Sequence, residues 1–527
     1  MPVKSLKSVN SGNSGEPLTQ KAGSPDVGAS ATSVRRISTQ AATAAPTAAS
    51  TTVVSQPAVP AVPFEARLAA GRQLREKTPR SSHSHLGNTD RDIVELLRTS
   101  SEGRVAALVP LRYGRMLASP FAFYRGSAIV QAHDLAGTPN SGLTMQICGD
   151  CHLANFGGFA TPERKLIFDL NDFDETAPGP WEWDLKRLCA SLVLAARQFG
   201  FGDTLGVEMV RAAVDAYARR LDEYAHMPTI ELWHEQITFE RMLEMAGTDR
   251  VREGVKRGIA RAAGRTHENV LPKFAQQIGD HWQIRDTPPT VFHVHGATTL
   301  FGPEDDWLGL GDWRTLFAPV YKSYTSSLPP DRARMLESYT QQDLAFKVVG
   351  VGSVGTRCLV LLMMDTHEQP LFLQFKEASK SVVSRFFKNV TPKHDGRRVV
   401  EGQRLMQAAS DAFLGWGTGP FGRSIYGRQL RDMKISAQFE LFRADGFREY
   451  ASLCGWVLAR AHAKAGGCAA ELVGYVGKGI RLGEALIHYA TDYADQVERD
   501  YEVFRKACRD GRLEARTDTD MAADFMA

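Results

Sequence analysis

The stretch that most constrains the fold and the chemistry of this chain runs from Ile147 to Leu185. Asp150 precedes Asn155 by five positions, and the run at 165–168 then has the composition of a short β-strand. An acidic cluster follows, and Asp184 comes after a turn rich in Gly and Pro. The cluster consists of Asp169, Asp172, Asp174 and Glu175. Oxygen ligands of the kind that Mg²⁺ prefers are therefore concentrated in one short segment.

An Asp, an Asn five positions later and a carboxylate at the end of the next strand form the layout of kinase-type phosphoryl transfer. In that chemistry the Asp accepts the proton of the acceptor hydroxyl, and we assign this role to Asp150. Asn155 and Asp172 are the expected Mg²⁺ ligands, with Asp169 and Asp174 as alternatives. Positioning and charge stabilisation then supply nearly all of the catalysis.

The same segment permits a second interpretation. Cys148, Cys151 and His152 form C-x-x-C-H, the pattern of covalent haem attachment. Thioether formation requires export to an oxidising compartment, and the N-terminus lacks the apolar core of a secretory signal. The haem hypothesis also leaves the Asp–Asn spacing and the acidic strand end unexplained. We therefore interpret His152 as a residue that braces the loop and the two cysteines as packing thiols.

A second informative stretch runs from Phe346 to Ala378 and carries a G-x-G-x-x-G pattern made by Gly350, Gly352 and Gly355. In a dinucleotide-binding fold the third glycine would open a helix. Here a β-rich run, 358–364, follows it instead. The stretch therefore predicts strand, glycine turn, strand, polar turn and strand.

Lys376 lies on the third of these predicted strands. A glycine-rich hairpin with such a Lys is the arrangement that covers the phosphates of ATP in kinases. The glycines let backbone amides approach phosphate oxygens, and Lys376 supplies a positive charge to the α and β phosphates. A helix is predicted at 397–409, and its Glu401 is the candidate partner that directs Lys376. An ordinary hairpin and an exposed helical carboxylate remain the alternatives.

Two segments carry a family resemblance. CGDCHLANFG, from Cys148, resembles the H-G-D-x-H-x-x-N loop of phosphotransferases, with Cys148 where His is usual. NDFDETAPGPWEWDL, from Asn171, resembles their I-D-F-D-D…G-P…D-L segment. Residues 90–505 resemble a bacterial family of uncharacterised proteins, known as a domain of unknown function, that is similar to protein kinases and aminoglycoside phosphotransferases. The resemblance implies that Asp172 binds the metal and that Asp184 braces the catalytic loop.

The order of these parts departs from the kinase pattern, in which the glycine loop, Lys and Glu precede the Asp–Asn loop. Here the Asp–Asn loop comes first, and a helix at 447–464 that ends in LARAHA resembles the helix that normally precedes that loop. We therefore predict a circularly permuted α+β fold. It would be protein-kinase-like and bilobal, with a helical C-lobe and a small antiparallel β N-lobe.

The predicted organisation has five segments. They are a disordered low-complexity tail at 1–62, a basic linker at 63–89, a C-lobe-like catalytic and helical region at 90–345, an N-lobe-like β region at 346–440, and C-terminal helices at 441–527 that return to the C-lobe. The tail has few aromatic residues and cannot bury enough surface to offset its ordering entropy. A transit peptide is the alternative interpretation of the tail.

The composition of the chain indicates which classes of partner and which cellular compartment to expect. A net charge of +3 is too small an imbalance to argue for nucleic acid or a membrane surface. No run approaches the roughly 18 apolar residues of a membrane span. The seven cysteines are scattered and odd in number, which indicates a reducing cytoplasm. No feature of the sequence indicates an oligomeric state.

The sequence thus predicts an ATP- and Mg²⁺-dependent phosphotransferase. The segment from Asp172 to Asp184 has no room for a phosphorylatable activation loop, which favours a small-molecule hydroxyl as the acceptor. An inactive nucleotide-binding scaffold and an AMP-transferring enzyme on the same fold are the alternatives.

Overall fold

The chain folds into a mostly helical region and a β-sheet region that have separate hydrophobic cores. A computed structural model describes residues 62–293, 313–430 and 433–526. These residues belong to one compact unit, Ala61–Ala527. The predicted disordered tail, 1–62, lies outside the described residues except for its last position.

The helices that the structure describes are distributed along the whole of that unit. They are α1 (Phe64–Lys77), α2 (Ile93–Thr99), α3 (Val109–Met116), α4 (Pro120–Gly126), α5 (Ala128–Ala136), α6 (Trp181–Gln198), α7 (Gly202–Ala225), α8 (Thr229–His234), α9 (Phe239–Met245), α10 (Asp249–Ala263), α11 (His267–Phe274), α12 (Trp313–Thr325), α13 (Pro330–Leu336), α14 (Val382–Phe386), α15 (Asp395–Met406), α16 (Ala444–Gly466), α17 (Ala469–Val476), α18 (Ile480–Arg509) and α19 (Asp518–Met526). Among the described residues, none of the helices is both long and apolar enough to cross a membrane.

The described strands form antiparallel sheets. They are β1 (Thr144–Ile147), β2 (Phe156–Ala160), β3 (Leu166–Leu170), β4 (Ala177–Pro180), β5 (Ala275–Ile278), β6 (His281–Ile284), β7 (Val291–Phe292), β8 (Thr340–Lys347), β9 (Cys358–Met364), β10 (Pro370–Glu377), β11 (Gly415–Thr418), β12 (Ser424–Gln429) and β13 (Ile435–Ser436). The largest of the described sheets has six strands in the order β11-β12-β10-β9-β8-β7. Smaller sheets pair β1 with β4, β13 with β2 and β3, and β5 with β6. The predicted α+β class is confirmed.

The apolar runs around the glycine turn are strands because both faces of the large sheet are covered. Every residue of β9 is buried. Its alternate residues belong to different cores, Leu359 and Leu361 on one face and Val360 and Leu362 on the other. This alternation follows from the two-residue period of a strand, and burial on both faces makes the run continuously apolar.

The sheet region begins earlier in the chain than the predicted boundary at 346. β8 begins at Thr340, and β7 and α12 lie earlier still, inside the predicted C-lobe-like region, 90–345. Tyr324 of α12 packs edge-on against Phe375 of β10, with ring centroids 4.9 Å apart. A two-residue strand and a helix that contains a proline carry little periodicity, so the sequence did not predict them.

The segment predicted as a basic linker, 63–89, contains α1. This helix lies so close to α17 that a methyl group on Gly71 would be 1.9 Å from the carbonyl oxygen of Glu471. Arg67 of α1 pairs with the Glu471 carboxylate at 2.8 Å. A glycine contact and an ion pair hold the helix instead of a wide apolar stripe, which explains why periodicity did not reveal it.

Candidate functional site

The loop that carries Asp150 follows β1 and is held by a carboxylate at the start of α6. Asp184 accepts hydrogen bonds from the backbone amides of Cys148 at 2.7 Å and Gly149 at 2.9 Å. Gly149 has a φ of 80°, and a methyl group there would lie 2.2 Å from the carbonyl oxygen of Glu175. Only glycine fits this backbone. The bracing role that the resemblance implied for Asp184 is confirmed.

Helix α16, which lies late in the chain, contacts two of these acidic residues, Asp184 and Asp169. The His462 Nε2 atom lies 3.3 Å from an Asp184 carboxylate oxygen. Arg460 donates to both carboxylate oxygens of Asp169, at 2.8 and 2.9 Å, and the Ala408 amide donates to the same carboxylate at 2.8 Å. Asp169 is 1% exposed. The Asp169 carboxylate is thus engaged by hydrogen bonds within the fold, and its role as an alternative Mg²⁺ ligand stays a prediction.

Asn155 and Asp172 lie together where the Asp150 loop meets the end of β3. The Asn155 Nδ2 atom donates to the carbonyl oxygens of Asp150, at 3.0 Å, and of Asp172, at 3.2 Å. This orientation leaves the amide oxygen of Asn155 available for a ligand. Burial and the charge of Asp174 raise the pKa of Asp172, while Lys376 opposes them. The two expected metal ligands, Asn155 and Asp172, therefore line the same cavity.

This donor set fits a metal that arrives with a substrate. In the described part of the chain, no three or more His, Cys, Asp or Glu side chains are gathered as a metal site. Mg²⁺ is commonly held by one or two carboxylates together with water and substrate phosphates. The Asp172 carboxylate and the Asn155 amide fit that mode of binding and not a preformed metal cage.

Asp150 is oriented by Arg187 of α6. The Arg187 Nε atom donates to Asp150 Oδ1 at 2.8 Å. The same guanidinium donates to Gln131 at 3.0 Å and to the Tyr124 carbonyl oxygen at 2.7 Å. The Asp150 side chain remains 22% exposed, whereas that of Arg187 is 4% exposed. One carboxylate oxygen is therefore fixed while the side chain still reaches the cavity described below.

Lys376 connects β10 of the large sheet to the acidic segment, residues 169–175. Its ammonium group contacts the Asp174 carboxylate and donates to the Ser353 hydroxyl at 2.8 Å. The Tyr426 hydroxyl donates to the other Asp174 oxygen at 2.7 Å. Burial opposes a charged Lys376, but Asp172 and Asp174 outweigh it and raise the Lys376 pKa. Asp174, the second alternative metal ligand, is thus the partner that directs Lys376.

Glu401 does not occupy that position. Its carboxylate accepts a hydrogen bond from Arg397 at 2.6 Å, four residues earlier on the solvent side of α15. Arg398, on the buried side, instead connects α15 to the acidic segment by donating to the carbonyl oxygens of Asp174, at 3.0 Å, and Thr176, at 2.6 Å. A predicted helix does not show which of its sides faces the site, so the sequence did not identify Arg398.

Replacing Arg398 by Gln is expected to lower the free energy of unfolding by roughly 3 kcal/mol or more. Its guanidinium is 2% exposed, and each buried carbonyl oxygen that loses its donor costs about 1–3 kcal/mol. Glu401→Gln on the same helix is the matched control and should change it by less than about 0.5 kcal/mol. Urea unfolding of both variants measures the difference. Equal effects would contradict the assignment of Arg398 as the link.

The glycine turn between β8 and β9 is fixed to the helical region. Gly350, with a φ of 64°, accepts a hydrogen bond from Arg115 at 2.8 Å through its carbonyl oxygen. Gly355, with a φ of 84°, accepts one from the Val105 amide at 2.8 Å. A methyl group on Gly352 would lie 3.2 Å from the Arg125 carbonyl oxygen. The left-handed conformations at Gly350 and Gly355 explain why glycine occupies these two positions.

The glycine turn, the Lys376 strand and the Asp150 loop border one cavity of about 700 Å³. Of the predicted site residues, the structure brings seven to its wall. They are Asp150, Asn155, Asp172, Asp174, Gly350, Gly352 and Lys376. Gly355, Glu401 and Asp169 do not line it. The volume is within the range of about 300–1,000 Å³ that small-molecule and cofactor sites occupy.

One protein-family model matches residues 104–507, and it is described as an uncharacterized protein conserved in bacteria, DUF2252. The chain belongs to this family. No curated protein and no solved structure matches the chain. The DUF2252 match includes the Asp150 loop, the acidic residues and the glycine turn, so the seven cavity-lining residues named above all lie within the matched region.

Besides Arg398, sequence reasoning missed three residues that contact the predicted site residues. Ser353 lies inside the glycine turn, where its hydroxyl bonds Asp174 at 3.1 Å. Arg187 lies on the helix that follows the acidic segment, three residues after Asp184. Tyr426 lies on β12, directly opposite Lys376 in the antiparallel pair with β10. Ser353 could have been found from the sequence, because it is a hydroxyl residue within the glycine turn. Arg187 and Tyr426 could not, because their contacts depend on how separate elements pack together.

Glu175, which lines the cavity, is expected to make the folding stability of the protein depend on pH. Burial raises its pKa from 4.5 to about 7, against the hydrogen bond from the Val382 amide. Between these two values the unfolded chain has released the proton while the folded protein retains it. Folding stability is therefore expected to fall as the pH rises from about 4.5 to 7.

Glu175→Gln should remove this part of the pH dependence, because an amide does not titrate there. Urea unfolding of wild type and variant at pH 5, 6, 7 and 8 measures it, with the exposed Glu163→Gln as control. An unchanged pH slope in Glu175→Gln would show that another group is responsible.

Proposed function

We propose that the chain is an ATP- and Mg²⁺-dependent phosphotransferase that acts on the hydroxyl of a small molecule. The observation that carries this proposal is the meeting of two distant segments at one cavity. Lys376 and the glycine turn form one part of its wall, and Asp150, Asn155 and Asp172 form another. A nucleotide with its Mg²⁺ requires cationic, amide and carboxylate groups in such an arrangement.

The order of elements around the sheet supports a kinase-like, circularly permuted fold. The glycine turn joins β8 to β9, Lys376 lies on β10, and α15 follows before the sheet is completed by β11 and β12. Kinases likewise place the Lys on the third strand and a helix after it. Helix α16, which contains LARAHA, contacts Asp169 and Asp184. That position beside the acidic segments is the one a permuted chain requires.

In the proposed reaction each group has a separate task. Asp150, held by Arg187, accepts the proton of the acceptor hydroxyl and orients its oxygen toward the terminal phosphate. Lys376 binds the α and β phosphates, and Asp174 directs it. Mg²⁺, held by Asp172 and Asn155, would neutralise charge on the nucleotide phosphates. Most of the rate enhancement then comes from position and charge.

A small acceptor is supported by the short path after Asp172. The chain reaches β4 at Ala177 and α6 at Trp181, and β4 pairs with β1 beside the Asp150 loop. This leaves no length for a separate activation loop between Asp172 and Asp184. The geometry does not favour the haem hypothesis, because Cys148 and Cys151 are both 0% exposed.

Labelled ATP tests the proposal. Incubating the full-length chain with cell extract and γ-labelled or α-labelled ATP should transfer label to a small molecule from the γ position only. Label from the α position only would show AMP transfer, and binding without label transfer would show a scaffold. Either outcome would contradict the proposal.

Asp172→Asn should abolish Mg²⁺-dependent ATP turnover, because the metal loses its charged ligand. Glu208→Gln is a matched control, since Glu208 pairs with Arg448 on the exposed surface. The rate of γ-phosphate release at several Mg²⁺ concentrations measures the effect. Unchanged turnover in Asp172→Asn would remove Asp172 from the metal site.

A further inference from the structure

Arg125, the penultimate residue of α4, borders the cavity beside Asp150 and His152. Its Nε atom is buried without a hydrogen-bond partner. Among the described residues, no hydrogen bond or ion pair engages its guanidinium. Its Cζ atom lies 5.9 Å from the centre of the Phe121 ring, and the charge of Asp150 acts on it through space. A buried donor without a partner is costly, and the rest of this partly exposed side chain has donors available for a ligand in the cavity.

The backbone on both sides of Arg125 is fixed. Arg187 donates to the Tyr124 carbonyl oxygen at 2.7 Å and to Asp150 at 2.8 Å, so one guanidinium ties α4 to the Asp150 carboxylate. Arg112 donates to the Gly126 carbonyl oxygen at 2.8 Å. Arg125 is therefore held at a defined position relative to Asp150.

Neighbouring arginines make structural hydrogen bonds that Arg125 lacks. Arg112 and Arg187 anchor the end of α4 by donating to the backbone carbonyls of Gly126 and Tyr124. Arg104 does the same with the carbonyl oxygens of Ser100 and Val354. Arg125 makes no such bond within the described residues. Anchoring thus does not account for it.

The glycine turn also contacts the backbone of Arg125. A methyl group on Gly352 would be 3.2 Å from the Arg125 carbonyl oxygen, which places the turn in contact with α4. Gly350, Gly352, Arg125 and Asp150 all line the same cavity. Arg125 therefore borders the space shared by the turn expected to cover the ATP phosphates and the carboxylate expected to activate the acceptor.

We infer that Arg125 binds the phosphoryl group in transfer and offsets the charge that develops on its oxygens. The inference rests on the proposed function and adds a catalytic residue to it. The bond between the terminal phosphorus and the β–γ bridging oxygen breaks, and a bond from phosphorus to the acceptor oxygen forms. The acceptor proton goes to Asp150, and ADP leaves. A planar guanidinium can donate to two phosphoryl oxygens at once.

A trapped complex of the full-length chain with Mg·ADP and aluminium fluoride tests this role, because aluminium fluoride mimics the phosphoryl group in transfer. Equilibrium dialysis with labelled ADP measures retention with and without aluminium fluoride. In the wild type, aluminium fluoride should tighten ADP binding. In Arg125→Gln, Mg·ADP alone should bind within about twofold of wild type, but the tightening should fall by about 10³-fold or more, as for arginines that stabilise this charge.

Arg125→Lys should restore part of the tightening, and guanidinium ion should restore part of it in Arg125→Ala, neither of which a structural role predicts. Arg448→Gln, on the exposed surface of α16, is the control. Full tightening in Arg125→Gln would overturn the inference and leave the proposed function intact. Loss of Mg·ADP binding in every Arg125 variant would also overturn it. Failure of the wild type to bind Mg·ADP would instead overturn the proposed function itself.

Discussion

Asp150→Asn is expected to slow phosphoryl transfer by about 10²–10⁴-fold, the usual contribution of a general base. The variant should still bind Mg·ATP with nearly wild-type affinity. Asn retains an oxygen that can accept the hydrogen bond from Arg187, so the loop geometry should survive the change. Release of labelled phosphate at saturating Mg·ATP measures the rate, and equilibrium dialysis measures the affinity.

Asp203→Asn is the matched control for this prediction. Asp203 also pairs with an arginine, Arg197, at 2.7 Å, but its side chain is 53% exposed at the start of α7. It should leave the transfer rate unchanged. A transfer rate in Asp150→Asn within a few-fold of wild type would remove Asp150 from the catalytic role.

Lys376→Met is expected to reduce transfer by about 10²-fold or more, the order found when one preorganised charged or hydrogen-bonding group is lost. Met preserves much of the side-chain volume on β10 but removes the charge directed at the phosphates. Unlike Asp150→Asn, this variant should also weaken ATP binding. Titration of labelled ATP and single-turnover transfer separate the two effects.

The same variant should also lower the free energy of unfolding by about 1–3 kcal/mol, because the Asp174 carboxylate, which is 27% exposed, loses its cationic hydrogen-bond donor while the charge of Arg428 still acts on it. Its remaining donors would be Ser353 and Tyr426. Adding Asp174→Asn to Lys376→Met should recover much of the stability and none of the activity. Recovery of both would show that Lys376 matters only as the partner of Asp174.

Local sequence patterns predicted the parts of the site that lie close together in the chain. The run 358–364 matches the bounds of β9, and the predicted helix at 397–409 corresponds to α15 at Asp395–Met406. In these two elements the spacing along the chain nearly determines the geometry. The bracing of the Asp150 loop by Asp184 was instead implied by the resemblance of the segment from Asn171 to phosphotransferases.

The individual side-chain partners contributed by distant elements were not predictable, although the meeting of the two site segments at one cavity was. The predicted helix at 397–409 makes Glu401 the candidate partner of Lys376, but Gly402, not Glu401, lies on the side of α15 that approaches Thr176 of the acidic segment. The partner of Lys376 comes from a segment about 200 residues earlier, and a permuted order hides such a pairing from any local pattern. Helix α1 escaped notice because the surface that receives it lies on α17.

Mg²⁺-dependent ATP binding shows whether the two distant segments close over one Mg·nucleotide. Labelled ATP should be titrated into wild type and Asp172→Asn, each with and without Mg²⁺. Wild type should bind one nucleotide per chain, Mg²⁺ should tighten this binding, and the tightening should be lost in Asp172→Asn. Wild type that binds no ATP, or binding that is indifferent to both Mg²⁺ and Asp172, would show that the two segments do not form a Mg·nucleotide site.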